Sequence, residues 1–312
     1  MTTAGAGVGR GHLSRALSVA EAFVGRGSHV SLELAAGRLE GESAARAERI
    51  GLRRTSDCPS GAIVVVDLPE LTGVGGRAED GSLVVFDDRD AFDGDAALVI
   101  QPSMPTWNGS GRADRVLAGY SYAPIARRYV GLRDARQVTR AATPHVIVCF
   151  GGSDPALVTG RLAIAIASGE GWRTTIVLGA DYAGNVDDLP PDVVRDPADL
   201  PERLARADLA VIGGGTMKFE VACVGRPAIL LAVADDQLAV GPPFASTGAA
   251  EFLGDGRTVD PELVLAAVRR LVANGDRRAT IGRTAAFVVD GLGAERIATA
   301  IMSMGEPPSP HD

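Results

Sequence analysis

The stretch from Gly213 to Gln237 reads G-G-G-T-M-K-F-E-V-A-C-V-G-R-P-A-I-L-L-A-V-A-D-D-Q. The apolar residues 209–212 before it predict a short strand, and the periodicity after Thr216 predicts a helix. Gly225 ends that helix, and residues 228–233 predict the next buried strand. This order of strand, glycine loop, helix and strand is typical of a parallel α/β sheet.

The glycine run has the features of an anion site. Three glycines leave backbone N–H groups uncovered at a helix N-terminus, where phosphate groups bind. Glu220 lies four residues after Thr216, so both side chains project from one face of the helix. The loop 235–237 follows the next strand at its carboxyl end, where ligands of open α/β sheets collect. The stretch therefore predicts a nucleotide pocket.

Composition limits the class of protein. The chain has 312 residues, enough for two domains with a core each. Hydrophobic residues make up 46% and the mean hydropathy is +0.12, as in globular proteins. The formal charge of −8 and an isoelectric point near 5.1 argue against a nucleic-acid partner or an anionic membrane surface.

Cysteine usage and hydropathy predict the compartment. Cys58, Cys149 and Cys223 are far apart and show neither a disulfide framework nor a zinc-site spacing. We expect them to be buried thiols of a cytoplasmic protein. No signal peptide is visible at the N-terminus, and no apolar run reaches the roughly 20 residues of a membrane span.

Apolar runs of strand length alternate with helix-period segments along the chain, as in parallel βαβ units. The periodicity fades in an arginine-rich segment before Pro144. We therefore expect a Rossmann-like doubly wound domain at 1–143, a second at 144–304 and a disordered tail at 305–312. A ligand cleft is expected between the two domains. Only Met1-Thr2-Thr3-Ala4 precedes the first glycine loop, so we expect either a truncated first strand or a true start further upstream.

The N-terminal loop reads G-A-G-V-G-R-G-H-L-S-R from Gly5 to Arg15. It departs from the dinucleotide fingerprint, because His12 or Arg10 stands where the third glycine permits close packing of helix on strand. An NAD(P)-linked protein, with Glu33 as its ribose-binding acid, is kept as an alternative.

His12 is the candidate catalytic residue of this loop. It lies in the first turn of a helix, where the partial positive charge favours the neutral imidazole. That is the state a general base needs near neutral pH. Arg15, one turn further on, is expected either to hold a carboxylate or phosphate or to be a solvated helix residue.

A third motif, C-F-G-G-S-D-P, runs from Cys149 to Pro155 at the end of a predicted strand. Ser153 or Asp154 can cap the following helix without any ligand. The pair Gly151-Gly152 suits a loop that approaches a ligand closely.

Three further acids end predicted strands. Asp67, Asp87 and Asp88 suit a metal site or the activation of an acceptor, but capping of turns is the commoner role. We predict no metal.

Taken in order, the motifs resemble one family. Its markers are G-x-G-H-x-x-R near the start, V-V-D and F-D-D on successive strands, F-G-G-S-D-P at mid-chain and G-G-T…E…G-x-P…D-D-Q later. The chain resembles the UDP-sugar hydrolase of the pseudaminic acid pathway and the related spore-coat polysaccharide-type predicted glycosyltransferases. These are similar to the lipid II-forming N-acetylglucosaminyltransferase. The resemblance runs from about Gly5 to Ile301.

The resemblance implies a two-domain glycosyltransferase-B fold in polysaccharide biosynthesis, with His12 catalytic and the C-terminal domain binding UDP. It implies that Thr216 contacts phosphate, Glu220 grips the ribose and Gln237 faces the sugar. The residues it assigns to nucleotide-sugar binding are Gly9, Gly11, Arg15, Gly151, Gly152, Ser153, Asp154, Gly214, Gly215, Thr216, Met217, Glu220, Asp236 and Gln237. Asp236 stands where the family often has Asn, and Lys218 also departs from many members.

The predicted reaction is cleavage of the anomeric C–O bond of a nucleoside-diphosphate sugar, with UDP as the expected leaving group. His12 takes a proton from an acceptor hydroxyl or a water, and the amides of residues 214–216 stabilise the diphosphate. No cofactor is predicted, the acceptor is open and the oligomeric state is undetermined. A UDP-sugar hydrolase and a non-catalytic nucleotide-sugar-binding protein are the alternatives.

Overall fold

The structure is a computed structural model that describes residues 1–3, 11–36, 39–54, 62–71, 74, 82–133, 143–154 and 156–305. The described residues form two compact units. The first unit contains residues 1–3, His12–Ala126 and residues 291–305, and the second contains Arg127–Asp290. Gly9 and the tail 306–312 lie outside the described residues.

The first unit alternates strands and helices, as predicted. Its elements up to residue 126 are β1 (Thr2–Thr3), α1 (Gly11–Val24), β2 (Ser31–Leu32), β3 (Leu34–Ala36), α2 (Gly41–Arg49), β4 (Arg53–Arg54), β5 (Val64–Val66), β6 (Leu83–Phe86), β7 (Asp95–Gln101) and β8 (Arg112–Ala118). Strands β5 to β8 form a parallel sheet in sequence order, and β2 pairs with β4.

The first strand is as short as the sequence predicts, yet it has partners on both sides. Thr2 pairs in parallel with Leu34 of β3 and bridges in parallel to Asp67, just after β5. Asp67 also donates its backbone N–H to the Met1 carbonyl at 3.0 Å. Strand β1 thereby links β3 to β5, and the carboxyl ends of β1, β5 and β6 point in one direction.

The second unit carries most of the remaining elements. They are α3 (Arg127–Val130), β9 (His145–Cys149), α4 (Val158–Ala167), β10 (Arg173–Leu178), β11 (Val193–Arg195), α5 (Leu200–Arg206), β12 (Leu209–Gly213), α6 (Met217–Cys223), β13 (Ala228–Ala232), α7 (Asp235–Ser246), β14 (Glu251–Asp255), α8 (Pro261–Ala273) and α9 (Gly275–Val288). Six parallel strands form one sheet in the order β11-β10-β9-β12-β13-β14. Counted from β9, this is the order 3-2-1-4-5-6 of nucleotide-binding doubly wound sheets.

Buried apolar strands form the centre of the sheet in the second unit. Every residue of β9, β12 and β13 is buried, as expected for parallel strands that are covered on both faces. Side chains of α4 and α8 pack on this sheet in one core. Among the described residues, no helix is long and apolar enough to cross a membrane.

The last helix, α10 (Gly293–Met302), belongs to the first unit, whereas the sequence analysis assigns it to the second domain at 144–304. Its buried face packs Ile297 and Ile301 into the core formed by β6 and β7. Gly293 allows this approach, because a Cβ there would lie 2.2 Å from the Ala123 carbonyl oxygen. The chain also enters the second unit before residue 143, at Arg127. Arg133 holds this entry by donating to the carbonyls of Val289 and Ala286 at 2.8 and 3.0 Å.

Candidate functional site

In the first unit, His12 lies at the start of α1 with its ring held by a carboxylate. Nδ1 lies 2.6 Å from Oδ1 of Asp67, the residue that follows β5. Asp67 is only 1% exposed, whereas the His12 side chain is 19% exposed. Because an ionised carboxylate only accepts hydrogen bonds, Nδ1 carries the proton and Nε2 is left as the acceptor nitrogen. This is the tautomer of a histidine that removes a proton through Nε2.

Arg15 completes this cluster from the next turn of α1. Its Nε donates to Asp67 Oδ2 at 2.7 Å, and its Nη2 donates to Asp67 Oδ1 at 2.5 Å. Nη1 forms a short ion pair with Asp88, after β6, and the guanidinium lies 4.7 Å from the centre of the Phe86 ring. Arg15 is 4% exposed. It holds carboxylates, as one reading of the sequence expects, but they are carboxylates of its own chain.

The charges of the cluster fix its protonation. Burial alone would raise the pKa of Asp67, but the charge and hydrogen bonds of Arg15, with the His12 hydrogen bond, lower it to about 2. Burial would likewise raise the pKa of Asp88, and Arg15 lowers it. Burial acts to lower the pKa of Arg15, yet the two carboxylates raise it above its ordinary value. All three groups are therefore ionised at neutral pH.

The three strand-ending acids have different roles. The Asp87 carboxylate accepts N–H bonds from Ala91 and Phe92 and one from Trp107 Nε1 at 2.8 Å. It therefore caps a turn, as the common role predicts. Asp67 and Asp88 instead serve His12 and Arg15. The pairing of Asp67 with His12 was missed from the sequence, although β1 and β5, each followed by a motif residue, were both predicted.

In the second unit, the predicted motifs meet at one edge of the sheet. The loop after β9 and the loop after β12 leave neighbouring strands, since β9 pairs with β12. Their helices, α4 and α6, begin there at Val158 and Met217. Between these two strands the chain order reverses, and nucleotide ligands of such sheets bind outside the carboxyl ends at this point.

The glycine loop after β12 differs in detail from the expectation. The Gly214 N–H donates to the Leu231 carbonyl at 2.9 Å, so it continues the sheet and does not face a ligand. Lys218 is 2% exposed, and its Nζ donates to the carbonyls of Gly214 and Gly215 at 2.8 and 3.3 Å. Because C=O and N–H point in opposite directions across a trans peptide, Lys218 turns the N–H groups of Gly215 and Thr216 away from itself.

Gln237 packs against the glycine loop, most closely at Gly214. Its Oε1 accepts the Val233 N–H at 3.0 Å, which fixes the side chain across the glycine loop. A Cβ at Gly214 would lie 3.2 Å from the Gln237 Cβ, and one at Gly215 would lie 3.5 Å from its Nε2. The loop after β13 and the loop after β12 are therefore packed together. Asp236, beside Gln237, is exposed in the first turn of α7.

Glu220 has a partner that the sequence did not reveal. Tyr129 of α3 is 5% exposed. Burial, together with the charge of Glu220 and a hydrogen bond to it, raises the Tyr129 pKa well above its ordinary value. The tyrosine is therefore a neutral hydroxyl that donates to the Glu220 carboxylate. No nearby motif marks Tyr129, because it reaches α6 from 91 positions earlier in the chain.

In the loop after β9, Asp154 accepts hydrogen bonds from the backbone of the following helix, which is the role that needs no ligand. Asp154, 2% exposed, accepts the N–H groups of Val158 and Thr159 at 3.0 and 2.8 Å. Gly151 has φ of +98°, which requires glycine, and Ser153 is buried. Gly152 is crowded by protein, since a Cβ on Gly179 would lie 2.1 Å from its carbonyl oxygen.

Buried thiols are confirmed at Cys149 and Cys223, while Cys58 lies outside the described residues. Within the described part of the chain, no group of three or more His, Cys, Asp or Glu side chains is placed to bind a metal ion.

Comparison with known proteins gives one related sequence to report. The spore coat polysaccharide biosynthesis protein SpsG of Bacillus subtilis (strain 168) is 26% identical over 172 residues, which are 52% of this chain and 51% of SpsG. The chain thus spans about half the length of the curated relative that it matches. This agrees with the resemblance to spore-coat polysaccharide-type proteins. No protein-family model matches the chain.

Solved structures match over almost the whole chain. MurG of Acinetobacter baumannii has a TM-score of 0.60 at 18% identity, covering 95% of this chain and 98% of MurG. The spinosyn rhamnosyltransferase SpnG complexed with thymidine diphosphate has a TM-score of 0.64 at 15% identity, covering 95% and 97%. The calicheamicin glycosyltransferase CalG4 has a TM-score of 0.60 at 14% identity, covering 98% of each chain. The chain therefore has the fold of the glycosyltransferase-B type, built from two α/β domains with parallel sheets.

Proposed function

We propose that this protein is a glycosyltransferase that takes a sugar from a nucleoside-diphosphate donor, with UDP as the preferred nucleotide. The observation that carries the proposal is the Asp67 carboxylate on His12 Nδ1, at the start of the first helix of a glycosyltransferase-B fold. The likeness to a rhamnosyltransferase solved with thymidine diphosphate supports a donor of this chemical class. SpsG supports a role in polysaccharide biosynthesis.

His12 is the general base in this proposal. Its Nε2 takes the proton from an acceptor hydroxyl as that oxygen bonds to the anomeric carbon. The bond from that carbon to the diphosphate oxygen breaks, and the nucleoside diphosphate leaves with the electron pair. The imidazolium that forms is stabilised by Asp67, which stays ionised beside Arg15. General-base assistance of this kind is worth about a hundred- to ten-thousand-fold in rate.

The second unit holds the donor in this proposal. The N–H groups of Gly215 and Thr216, oriented by Lys218, stabilise the charge that develops on the diphosphate. Glu220 binds the ribose hydroxyls, and its bond to Tyr129 fixes the carboxylate for that contact. We propose that these amide dipoles suffice without a metal ion. Turnover that is unchanged in excess EDTA would support this, and turnover that is restored only by Mg²⁺ or Mn²⁺ would contradict it.

The decisive experiment uses purified protein with a panel of UDP- and TDP-sugars in ¹⁸O-labelled water. Transfer predicts that nucleoside diphosphate is released only when an acceptor is present, with no label in the sugar. The alternative hydrolase predicts acceptor-independent release with the label on the anomeric oxygen, and label on phosphate would contradict C–O cleavage altogether. His12→Ala should keep UDP affinity, measured by calorimetry, while turnover falls about a hundred- to ten-thousand-fold. Stabilisation by NADH alone would favour the NAD(P)-linked alternative.

A further inference from the structure

The acid cluster around His12 holds more charge than the orientation of a ring requires. One carboxylate, Asp67, is enough to fix the tautomer, yet Asp88 lies on the far side of Arg15 and is joined to the same guanidinium. Asp67 and Arg15 are both nearly inaccessible to water. In such a site the charges act on each other with little solvent screening.

The groups that face His12 among the described residues come from three elements. Arg15 lies on the same helix, with Nη2 3.4 Å from His12 Nδ1. Asp67 follows β5 and touches the ring, and Asp88 follows β6 and touches Arg15. Asp87 is adjacent in sequence, but its carboxylate is occupied by the turn N–H groups and by Trp107. Beside a neutral ring, Asp67, Asp88 and Arg15 therefore leave one net negative charge.

This balance matters for a base. A carboxylate against Nδ1 orients the ring but also favours its protonated form. A protonated ring cannot accept a proton from an acceptor hydroxyl. The buried cation Arg15 on the same carboxylate disfavours protonation of the ring. The second carboxylate, Asp88, offsets part of the charge of Arg15 and so favours protonation again.

We propose that Arg15 and Asp88 are positioning residues that set the proton affinity of His12 by balancing the charge of Asp67. Arg15 holds Asp67 on Nδ1 through a two-point contact and offsets one carboxylate charge, while Asp88 limits that offset. The proposal deepens the proposed function and rests on it, since it names the residues that adjust the proton affinity of the proposed base.

Substitutions at the two positions separate charge from shape. Arg15→Gln leaves two uncompensated carboxylates, so protonation of His12 should occur at a pH at least about 1 unit higher. Asp88→Asn leaves Arg15 balanced by Asp67 alone, so the midpoint should move in the opposite direction. Arg15→Lys keeps the charge but loses the planar fork, so the midpoint should stay near wild type while kcat falls.

A matched control comes from a second buried arginine. Arg46 is 6% exposed and donates to Glu21 at 2.5 Å and to Ser18 at 2.9 Å, both on α1, so its acidic partner is not a member of the His12 cluster. Arg46→Gln should lower the stability of the first unit without moving the His12 midpoint. If Arg15→Gln does not fold, Asp88→Asn and Arg15→Lys still test the proposal, because each keeps a buried cation beside Asp67.

The test is an NMR titration of the His12 ring in the full chain, alongside the pH dependence of kcat/KM. The chain has only four histidines, and His12→Gln identifies the relevant signal by its loss. The proposal is supported if the His12 midpoint moves up in Arg15→Gln and down in Asp88→Asn. Where Arg15→Gln does not fold, the supporting result is a midpoint near wild type in Arg15→Lys and a lower one in Asp88→Asn. The acid limb of the rate profile should move with the midpoint. A midpoint that is the same in Asp88→Asn as in the wild type would overturn it. Opposite shifts in a protein that turns over no sugar nucleotide would support the charge balance and reject the proposed function.

Discussion

Replacing Asp67 by Asn tests whether the buried cluster stabilises the first unit as its charges indicate. Arg15 lowers the Asp67 pKa from 3.8 to about 2 against the opposing effect of burial. Because the Asp67 pKa is lower in the folded state than in the unfolded state, the ionised carboxylate stabilises the fold above about pH 4. That stabilisation is lost as the pH falls towards 2. A pKa shift of this size corresponds to roughly 2–3 kcal/mol of stability.

Asp67→Asn should therefore reduce the free energy of unfolding of the first unit by about 2–3 kcal/mol at pH 7. Urea unfolding can be followed for that unit alone, because the chain has one tryptophan in each unit, Trp107 and Trp172. Trp172→Phe leaves Trp107 as the reporter. The matched control is Asp95→Asn, whose side chain is 82% exposed and should change stability by less than about 0.5 kcal/mol.

The pH dependence makes this prediction stricter. The difference in free energy of unfolding between wild type and Asp67→Asn should narrow as the pH falls from 4 to 2, because the wild-type carboxylate then becomes protonated and neutral. A gap that is absent at pH 7, or one that persists unchanged at pH 2, would show that Asp67 does not stabilise the fold through its charge.

Three further predictions concern the second unit. Burial lowers the His145 pKa to about 4, so the unfolded chain binds more protons than the folded chain below pH 6.5. The free energy of unfolding of the second unit, reported by Trp172, should therefore fall by about 1–2 kcal/mol between pH 6.5 and 4. A flat profile would contradict this. Lys218→Met should weaken UDP binding about tenfold in calorimetry, as the loop carbonyls lose a charged donor, whereas unchanged affinity would refute the role of Lys218. Gly179→Ala should lower the free energy of unfolding by about 2 kcal/mol or more, because its Cβ would lie 2.1 Å from the Gly152 carbonyl oxygen. The control Gly160→Ala, whose Cβ meets only a hydroxyl at 3.8 Å, should be neutral or stabilising.

The sequence predicts the strands of the second unit well because the signal is local. A buried parallel strand such as β9 or β12 needs a run of apolar residues, and the runs at 145–149 and 209–213 are unmistakable. Residues 235–237 were expected as a loop, but they form the first turn of α7, a helix with Pro242 and Pro243 inside it.

The site is less predictable because its contacts join distant segments. His12 and Arg15 were identified from their motif, but their partner Asp67 depends on β1 lying beside β5. The glycines at 214 and 215 suggested bare amides for an anion. The structure adds Lys218 on their carbonyls and Gln237 against their α-carbons, contacts that no local pattern encodes.

The place of α10 has a consequence for biosynthesis. The core of the first unit needs Ile297 and Ile301, and these residues are translated only after all of Arg127–Asp290. On the ribosome, the second unit can complete its sheet while β6 and β7 still lack the helix that covers them. A released chain that is truncated after Asp290 should therefore hold a protease-resistant second unit beside an N-terminal half that is still cleaved.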